Sequence, residues 1–241
     1  MGRRENFILV LTRGQMPEIG NFILLDASSP EGAIVARLSA DACSWAQFFY
    51  EKGPALEGIF PALERVSPRA EAPGFLFCEG PGSILGIRIA AMAIRTKFAL
   101  SPATMPRVFA FQSLTLAAKL ILQAFPQERD FAIVAESRMG KFNVLGVKGG
   151  MVAERFSEVS GAGLSQEIGG KIFAFPLRRT PPSGLEFTTL DMAGLLRDNP
   201  AIFHHHPEIL RDCGDKPDAV NTTAATDYAK WKPQRHGANA G

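Results

Sequence analysis

Three cysteines among 241 residues, Cys43, Cys78 and Cys213, have no metal-ligating spacing. So odd and sparse a count fits reduced thiols and a cytoplasmic protein rather than a disulfide-stapled scaffold. No apolar run approaches the ~18 residues that a membrane-spanning helix needs. The N-terminal segment "MGRRENFILVL" sets two arginines before an apolar run, Phe7 to Leu11. That run is shorter than the roughly 7–15 residues of a signal-peptide core, and no small-residue cleavage site follows it. Asn6 stands where a myristoylation signal needs Ser or Thr. The formal net charge of +2 is too near neutral to point to nucleic acid or a membrane surface. No Gly-x-Ser-x-Gly is present, which removes the nucleophile elbow, and no Gly-Lys-Ser/Thr closes a Walker loop. What is present is ordinary for a folded protein: 46% hydrophobic and 21% charged residues. The length suits one large domain or two small ones, with a sizeable core.

The chain opens with a hairpin pattern. "NFILLD" (21–26), the turn "ASSPEG" and "AIVARLS" read as strand, turn and strand, with Pro30 and Gly32 in the bend. The aromatic-rich segment from Cys43 to Tyr50 reads as a third strand. Gly53-Pro54 then starts a helix in which Leu56, Ile59, Phe60 and Leu63 fall on one face, with Pro61 inside the pattern. "APGFLFCE" reads as a buried strand, and a helix follows from about Ser83 to Leu100, stopped by Pro102. In the second half Ser113 to Gln123 reads as a helix, with Leu116, Lys119, Leu120 and Gln123 showing its period. "DFAIVAES" and "KFNVLGVK" pair across "RMG". From Glu154 to Pro182 the signals fade, apart from a strand in "GGKIFAFPL". Leu190 to Arg197 reads as a short helix, and the tail after Asp212 is polar and turn-rich. Hairpin strands followed by helices and more strands predict an α/β protein of two similar lobes, mixed sheets covered by helices.

The segment "FCEGPGSILGIRIAAMAIRTKFAL" (77–100) carries the most information. Its glycine turn reads in two ways. Backbone N–H groups at a helix start, with no side chain at Gly80 and Gly82, suit a phosphate. Alternatively the turn is a strand-to-helix corner with Ser83 as N-cap. On the helix, Ile84, Ile87, Ala91, Ile94 and Phe98 form an expected core face. Gly86, Ala90, Ala93 and Lys97 form a small-residue face that admits a second backbone, from this chain or from a partner. Arg88 and Arg95 share a third face, suited to the polar rim of an interface or to solvent.

These residues resemble a family. "GPGSILGIRIA" is similar to the Gly-Pro-Gly-Ser-Phe-Thr-Gly-x-Arg-x-Gly segment of the TsaB (YeaZ) proteins, with Gly80, Pro81, Gly82, Ser83, Gly86 and Arg88 matching. Further pieces occur in the family's order. "ILLDASSPEGAIVA" resembles its opening hairpin, and "AESRMGKFNV" its Asp-Ala-Arg-x-Gly segment through Arg138 and Gly140. "EILRD" and "YAKWKP" resemble its closing tail. The chain departs from the family at Ile84-Leu85, where the family has Phe-Thr, at Ala90, where it has Gly, and at Glu136, where it has Asp.

The resemblance implies an actin-like fold of the sugar kinase, Hsp70 and actin superfamily. It implies a first lobe over 21–110, a reduced second lobe over 111–212, a tail over 213–241 and an extension over 1–20, with Met16 a natural start. It implies a noncatalytic subunit that binds and activates a catalytic TsaD-type homologue. That complex, with a TsaE-type ATPase, would make threonylcarbamoyladenosine next to the tRNA anticodon. No catalytic or metal-binding residue is expected. The partner interface is expected at Gly86, Arg88, Ala90, Ala93, Arg95 and Lys97, and without the partner a second copy would take its place. Asp26, Ser28, Gly80, Gly82 and Ser83 are the expected remnant nucleotide or phosphate contacts. ATP or ADP at the partner interface is the only cofactor implied, and tRNA is reached through the complex. The histidines His204, His205, His206 and His236 lack the His-x-x-x-His pair of the catalytic homologue. Two other classes compete. One is a small actin-like kinase of an acyl or sugar substrate, which needs a second phosphate hairpin. The other is a tRNA-binding module using Lys230, Trp231, Lys232 and Arg235.

Overall fold

The computed structural model describes residues 19–67, 74–100, 106–138, 140–164, 170–178 and 184–214. The first lobe follows the expected order. The strands are β1 (Ile23–Asp26), β2 (Gly32–Leu38) and β3 (Trp45–Lys52), followed by α1 (Ala55–Val66), β4 (Phe75–Gly80) and α2 (Ile84–Leu100). Pro61 sits inside α1 without ending it. A strand that the pattern did not reveal, β5 (Val108–Gln112), follows, and α3 (Ser113–Ala124) starts directly from it. β1 pairs antiparallel with β2 and parallel with β4, and β4 pairs parallel with β5.

The second lobe repeats this plan. β6 (Phe131–Glu136) pairs antiparallel with β7 (Lys141–Lys148) and parallel with β10 (Lys171–Ala174). β10 pairs parallel with β11 (Phe187–Thr189). The short strands β8 (Met151–Val152) and β9 (Ser157–Ser160) both pair with β7. The strand orders 3-2-1-4-5 and 8-7-6-10-11 are the same arrangement twice. α4 (Met192–Asp198) follows β11 as α3 follows β5. The last elements, α5 (Ile202–His205), a single 3-10 turn and β12 (Arg211–Gly214), return to the first lobe, where β12 pairs with β5. Residues 211–214, expected at the end of the second lobe and in the tail, thus close the first sheet. The chain folds into two α/β lobes, each a mixed sheet of the same strand order.

Alternation along the strands builds three cores. Leu24, Leu76, Phe109 and Phe111 point inward between the lobes, while Ile23, Phe75, Phe77 and Val108 point outward beneath α1 and α2. In the second lobe Phe131 and Ile133 join the central core and Val134 and Ile172 form a small outer one. α3 packs on strands of both lobes, and Trp45 of β3 donates from Nε1 to the carbonyl of Leu196 in α4 at 2.9 Å. The lobes therefore share one apolar interior. Among the described residues no helix is long and apolar enough to cross a membrane.

Candidate functional site

The glycine turn is a corner that joins β4, α2 and the first hairpin. Gly80 leaves β4 at a φ of +104°, a conformation open to glycine, and its bond to Pro81 is cis. A Cβ on Gly82 would stand 2.3 Å from the carbonyl oxygen of Ser28, and one on Gly86 would stand 2.2 Å from that of Ala27. The missing side chains thus let α2 seat against the β1–β2 turn. Ser83 acts as N-cap: its Oγ accepts from the Gly86 N–H at 3.4 Å and its carbonyl from the Ile87 N–H at 3.0 Å. The Ser83 N–H donates to the Ser28 carbonyl at 2.7 Å, and Ser113 Oγ donates to the Pro81 carbonyl at 2.6 Å. The amides of Ser83 and Gly86 at this corner are engaged inside the chain.

Two backbone amides of the hairpin end are likewise engaged within the turn. Asp26 is buried, and its Oδ1 accepts from the Ser28 N–H at 2.9 Å, a turn closed by its own carboxylate. The Glu31 N–H donates to Ser29 Oγ at 3.2 Å. Ser28 lies beside Asp26 and the thiol of Cys78, yet its buried Oγ makes no hydrogen bond of ordinary geometry. Burial first, then the charge of Asp26, pushes the Cys78 thiol well above the usual cysteine range.

A cleft of about 490 Å³ opens next to this hairpin. Asp26, Ser28 and Tyr50 line it from the first lobe and Phe175, Thr189 and Asp191 from the second. Tyr50 and Asp191 carried no sequence signal as site residues. The Ile34–Tyr50 register of β2 and β3 delivers the first, and the lobe packing delivers the second. Asp191 caps α4, its Oδ1 accepting from the Gly194 N–H at 2.9 Å. Burial, with the charges of Glu31 and Asp191, raises the Tyr50 hydroxyl above its ordinary pKa.

The faces of α2 differ from those expected. Gly86, Ala90, Ala93 and Lys97 are buried within the chain. Lys97 Nζ donates to Glu64 Oε1 at 2.7 Å and to the Ser67 carbonyl at 3.1 Å, both from the α1 segment. The small-residue stripe therefore seats α1 and the first hairpin, so these four positions face the chain's own interior. Ile84, expected in the core, is exposed, together with Leu56, Leu85 and Met92. Arg88 and Arg95 are exposed on the same helix. Leu85, Arg88, Met92 and Arg95 recur at helical spacing and make one outward face, apolar residues alternating with cations.

His206 Nδ1 lies 3.0 Å from Glu208 Oε1, and the rings of His204 and His205 touch edge to face. Among the described residues no group of three or more His, Cys, Asp or Glu side chains could hold a metal ion. Glu136 is half-buried at the end of β6 and Arg138 is exposed in the turn that follows. The positions Lys230, Trp231, Lys232, Arg235 and His236 lie outside the described residues.

No family model matches the chain, and no curated protein matches it. Among solved structures it is similar to YeaZ from Pseudomonas aeruginosa, with a TM-score of 0.56 and 17% identity over 83% of this chain and 97% of that one. A second match is described as an uncharacterized protein with similarity to peptidase YeaZ from Pseudomonas aeruginosa. It reaches a TM-score of 0.49 and 18% identity over 64% of this chain and 74% of that one. The ethanolamine utilization protein EutJ from Carboxydothermus hydrogenoformans overlaps less, with a TM-score of 0.32 and 12% identity over 61% of this chain and 57% of that one. The YeaZ likeness at this identity establishes a shared fold over nearly the whole of that chain.

Proposed function

We propose that this protein is a noncatalytic subunit that binds and activates a catalytic homologue in threonylcarbamoyladenosine modification of tRNA. The observation that carries this reading is the outward face of α2. Leu85 is 70% exposed and Met92 47%, with Ile84 beside them and Leu56 of α1 exposed at 54%. Large apolar side chains flanked by arginines are the composition of an interface core with a polar rim. The Gly-Pro-Gly-Ser resemblance and the fold shared with YeaZ support placing the partner there.

On this reading the interface consists of Ile84, Leu85, Arg88, Met92 and Arg95, and the buried Gly86, Ala90, Ala93 and Lys97 support it from beneath. The subunit contributes no catalytic side chain. It acts by binding one arrangement of its partner better than another, which shifts the partner's population toward that arrangement. ATP or ADP, where the complex uses it, sits at the shared interface, and tRNA and a TsaE-type ATPase join through the complex.

The test is co-purification with the catalytic homologue of the same organism, comparing wild type with Leu85→Glu. The expected result is a complex with wild type that is lost in the variant while the variant stays folded. A wild-type chain that makes no complex, or a variant that binds normally, overturns the assignment.

A further inference from the structure

The cleft between the lobes holds two buried polar groups that the chain leaves incompletely answered. Asp26 is 5% exposed, and among the described residues none of the ion pairs engages it. Ser28 is 2% exposed and lines the same cleft, and its hydroxyl, beside the Cys78 thiol, makes no hydrogen bond of ordinary geometry. A carboxylate taken from water without a cation, beside an orphan hydroxyl, is costly unless a ligand supplies the missing group.

The surrounding charge selects the kind of ligand. Glu31 and Asp191 add two more carboxylates to the lining, against the cations Lys52 and Arg197. Arg197 is partly occupied, its guanidinium lying 5.1 Å from the ring centroid of Phe48. A phosphate would meet these acids, and two amides of the nearby corner, those of Ser83 and Gly86, are already engaged. The acids do not converge as a metal-binding group either. The aromatic residues Tyr50 and Phe175 are among those lining the cleft, and aromatic rings attract organic cations.

We propose that this cleft binds a small organic ammonium compound bearing a hydroxyl, its nitrogen on the Asp26 carboxylate and its hydroxyl on Ser28. The site is separate from the α2 face and does not depend on the docking role.

Ethanolamine and putrescine are the probes, followed by calorimetry and thermal shift on the full chain, with magnesium alone and magnesium-ADP run in parallel. The expected result is saturable ethanolamine binding that exceeds putrescine binding and weakens at least tenfold in Asp26→Asn. Ser28→Ala should weaken ethanolamine but leave putrescine unchanged, and it supplies the test should the Asp26 variant fail to fold. Lys148→Ala, an exposed change at the end of β7, should bind as wild type does. Three results would overturn the proposal. These are no saturable response to either amine up to about 10 mM, amine binding indifferent to Asp26→Asn and Ser28→Ala, or saturable binding of magnesium-ADP or magnesium in place of the amine.

Discussion

The place where Gly86 lacks a side chain is filled by the backbone of Ala27: a Cβ there would stand 2.2 Å from the Ala27 carbonyl oxygen. Gly86 belongs to a helix and needs no unusual backbone angle, so its role is close approach alone. Gly86→Ala should gain slightly in helix propensity yet lose more by pushing α2 off the hairpin. The expected net loss is about 1–3 kcal/mol, the usual cost of overpacking. Urea denaturation would show it as a lower midpoint with an unchanged slope. An unchanged midpoint would mean that the corner yields without cost.

The outward face of α2 and its inner stripe should respond differently to a charge. Ala93 is fully buried, and Ala93→Glu would place a carboxylate in the core beneath α1. About 4 kcal/mol or more of destabilisation is expected, enough to unfold a marginal domain. Leu85→Glu, on an exposed site, should stay within about 0.5 kcal/mol of wild type. Circular dichroism melts of both variants decide the matter. Similar stabilities for the two would contradict the orientation of the helix.

That orientation marks the limit of what the sequence discloses here. The hairpin 21–38, both long helices of the first lobe and the strand before the glycine turn were legible, because apolar periodicity and Gly-Pro punctuation agree there. β5 was not legible, since "VFAFQ" runs directly into α3 with no turn residue between them. β12 was hidden because a short strand that pairs with a distant segment of the chain has no local signature. The small face of α2 was recognised as a close-packing face, but periodicity alone does not say which neighbour approaches it. Leu56 and Ile84 follow the apolar pattern and are nonetheless exposed. These two residues belong to the exposed apolar patch on which the proposed docking role rests. Of the cleft only the hairpin residues Asp26 and Ser28 were legible, since Tyr50 and Asp191 join them through strand pairing and lobe packing.

Lys97 is an amphipathic residue used as a clasp. Its relative exposure is 9%, and its ammonium spans Glu64 and the Ser67 carbonyl. Glu64 is well exposed, so the ion pair itself contributes little. The bond to the buried carbonyl contributes more. Lys97→Met keeps the apolar stem and should cost about 1–2 kcal/mol, while Glu64→Gln should cost under about 0.5 kcal/mol. Chemical denaturation of the two variants separates the contributions. Equal losses would show that the ion pair dominates.

The cysteines should fall into three reactivity classes. Cys43 is exposed, Cys213 is partly buried in β12, and Cys78 is fully buried. Burial raises the thiol pKa of both Cys213 and Cys78, and the nucleophile is the thiolate. At pH 8 a chromogenic disulfide reagent should therefore modify Cys43 quickly, Cys213 slowly, and Cys78 only after unfolding. Mass spectrometry of the labelled peptides identifies the order. Labelling of Cys78 in the native protein would mean that the hairpin and the corner separate readily.

β12 closes the first sheet through a charge contact that should give it an acid limit. Arg107 pairs with Asp212, and the Gly214 N–H donates to Asp212 Oδ1 at 2.8 Å. Burial opposes the ionised form, but the bonds from Arg107 and Gly214 outweigh it, so the Asp212 carboxyl is held below its ordinary 3.8. A carboxyl depressed in the folded state binds its proton more readily when unfolded, so stability rises with pH across that interval. The contribution is complete above about pH 3.8 and is lost as pH falls from there through the folded-state value. Asp212→Asn should therefore melt below wild type by the same margin at pH 5 and pH 8, and the margin should shrink below pH 3.8. Arg107→Met should weaken the acid dependence without abolishing it, because the guanidinium is the larger cause that depresses the carboxyl and the Gly214 N–H remains. A margin that instead grew on acidification would reverse the sign of the coupling and place the stabilising charge elsewhere.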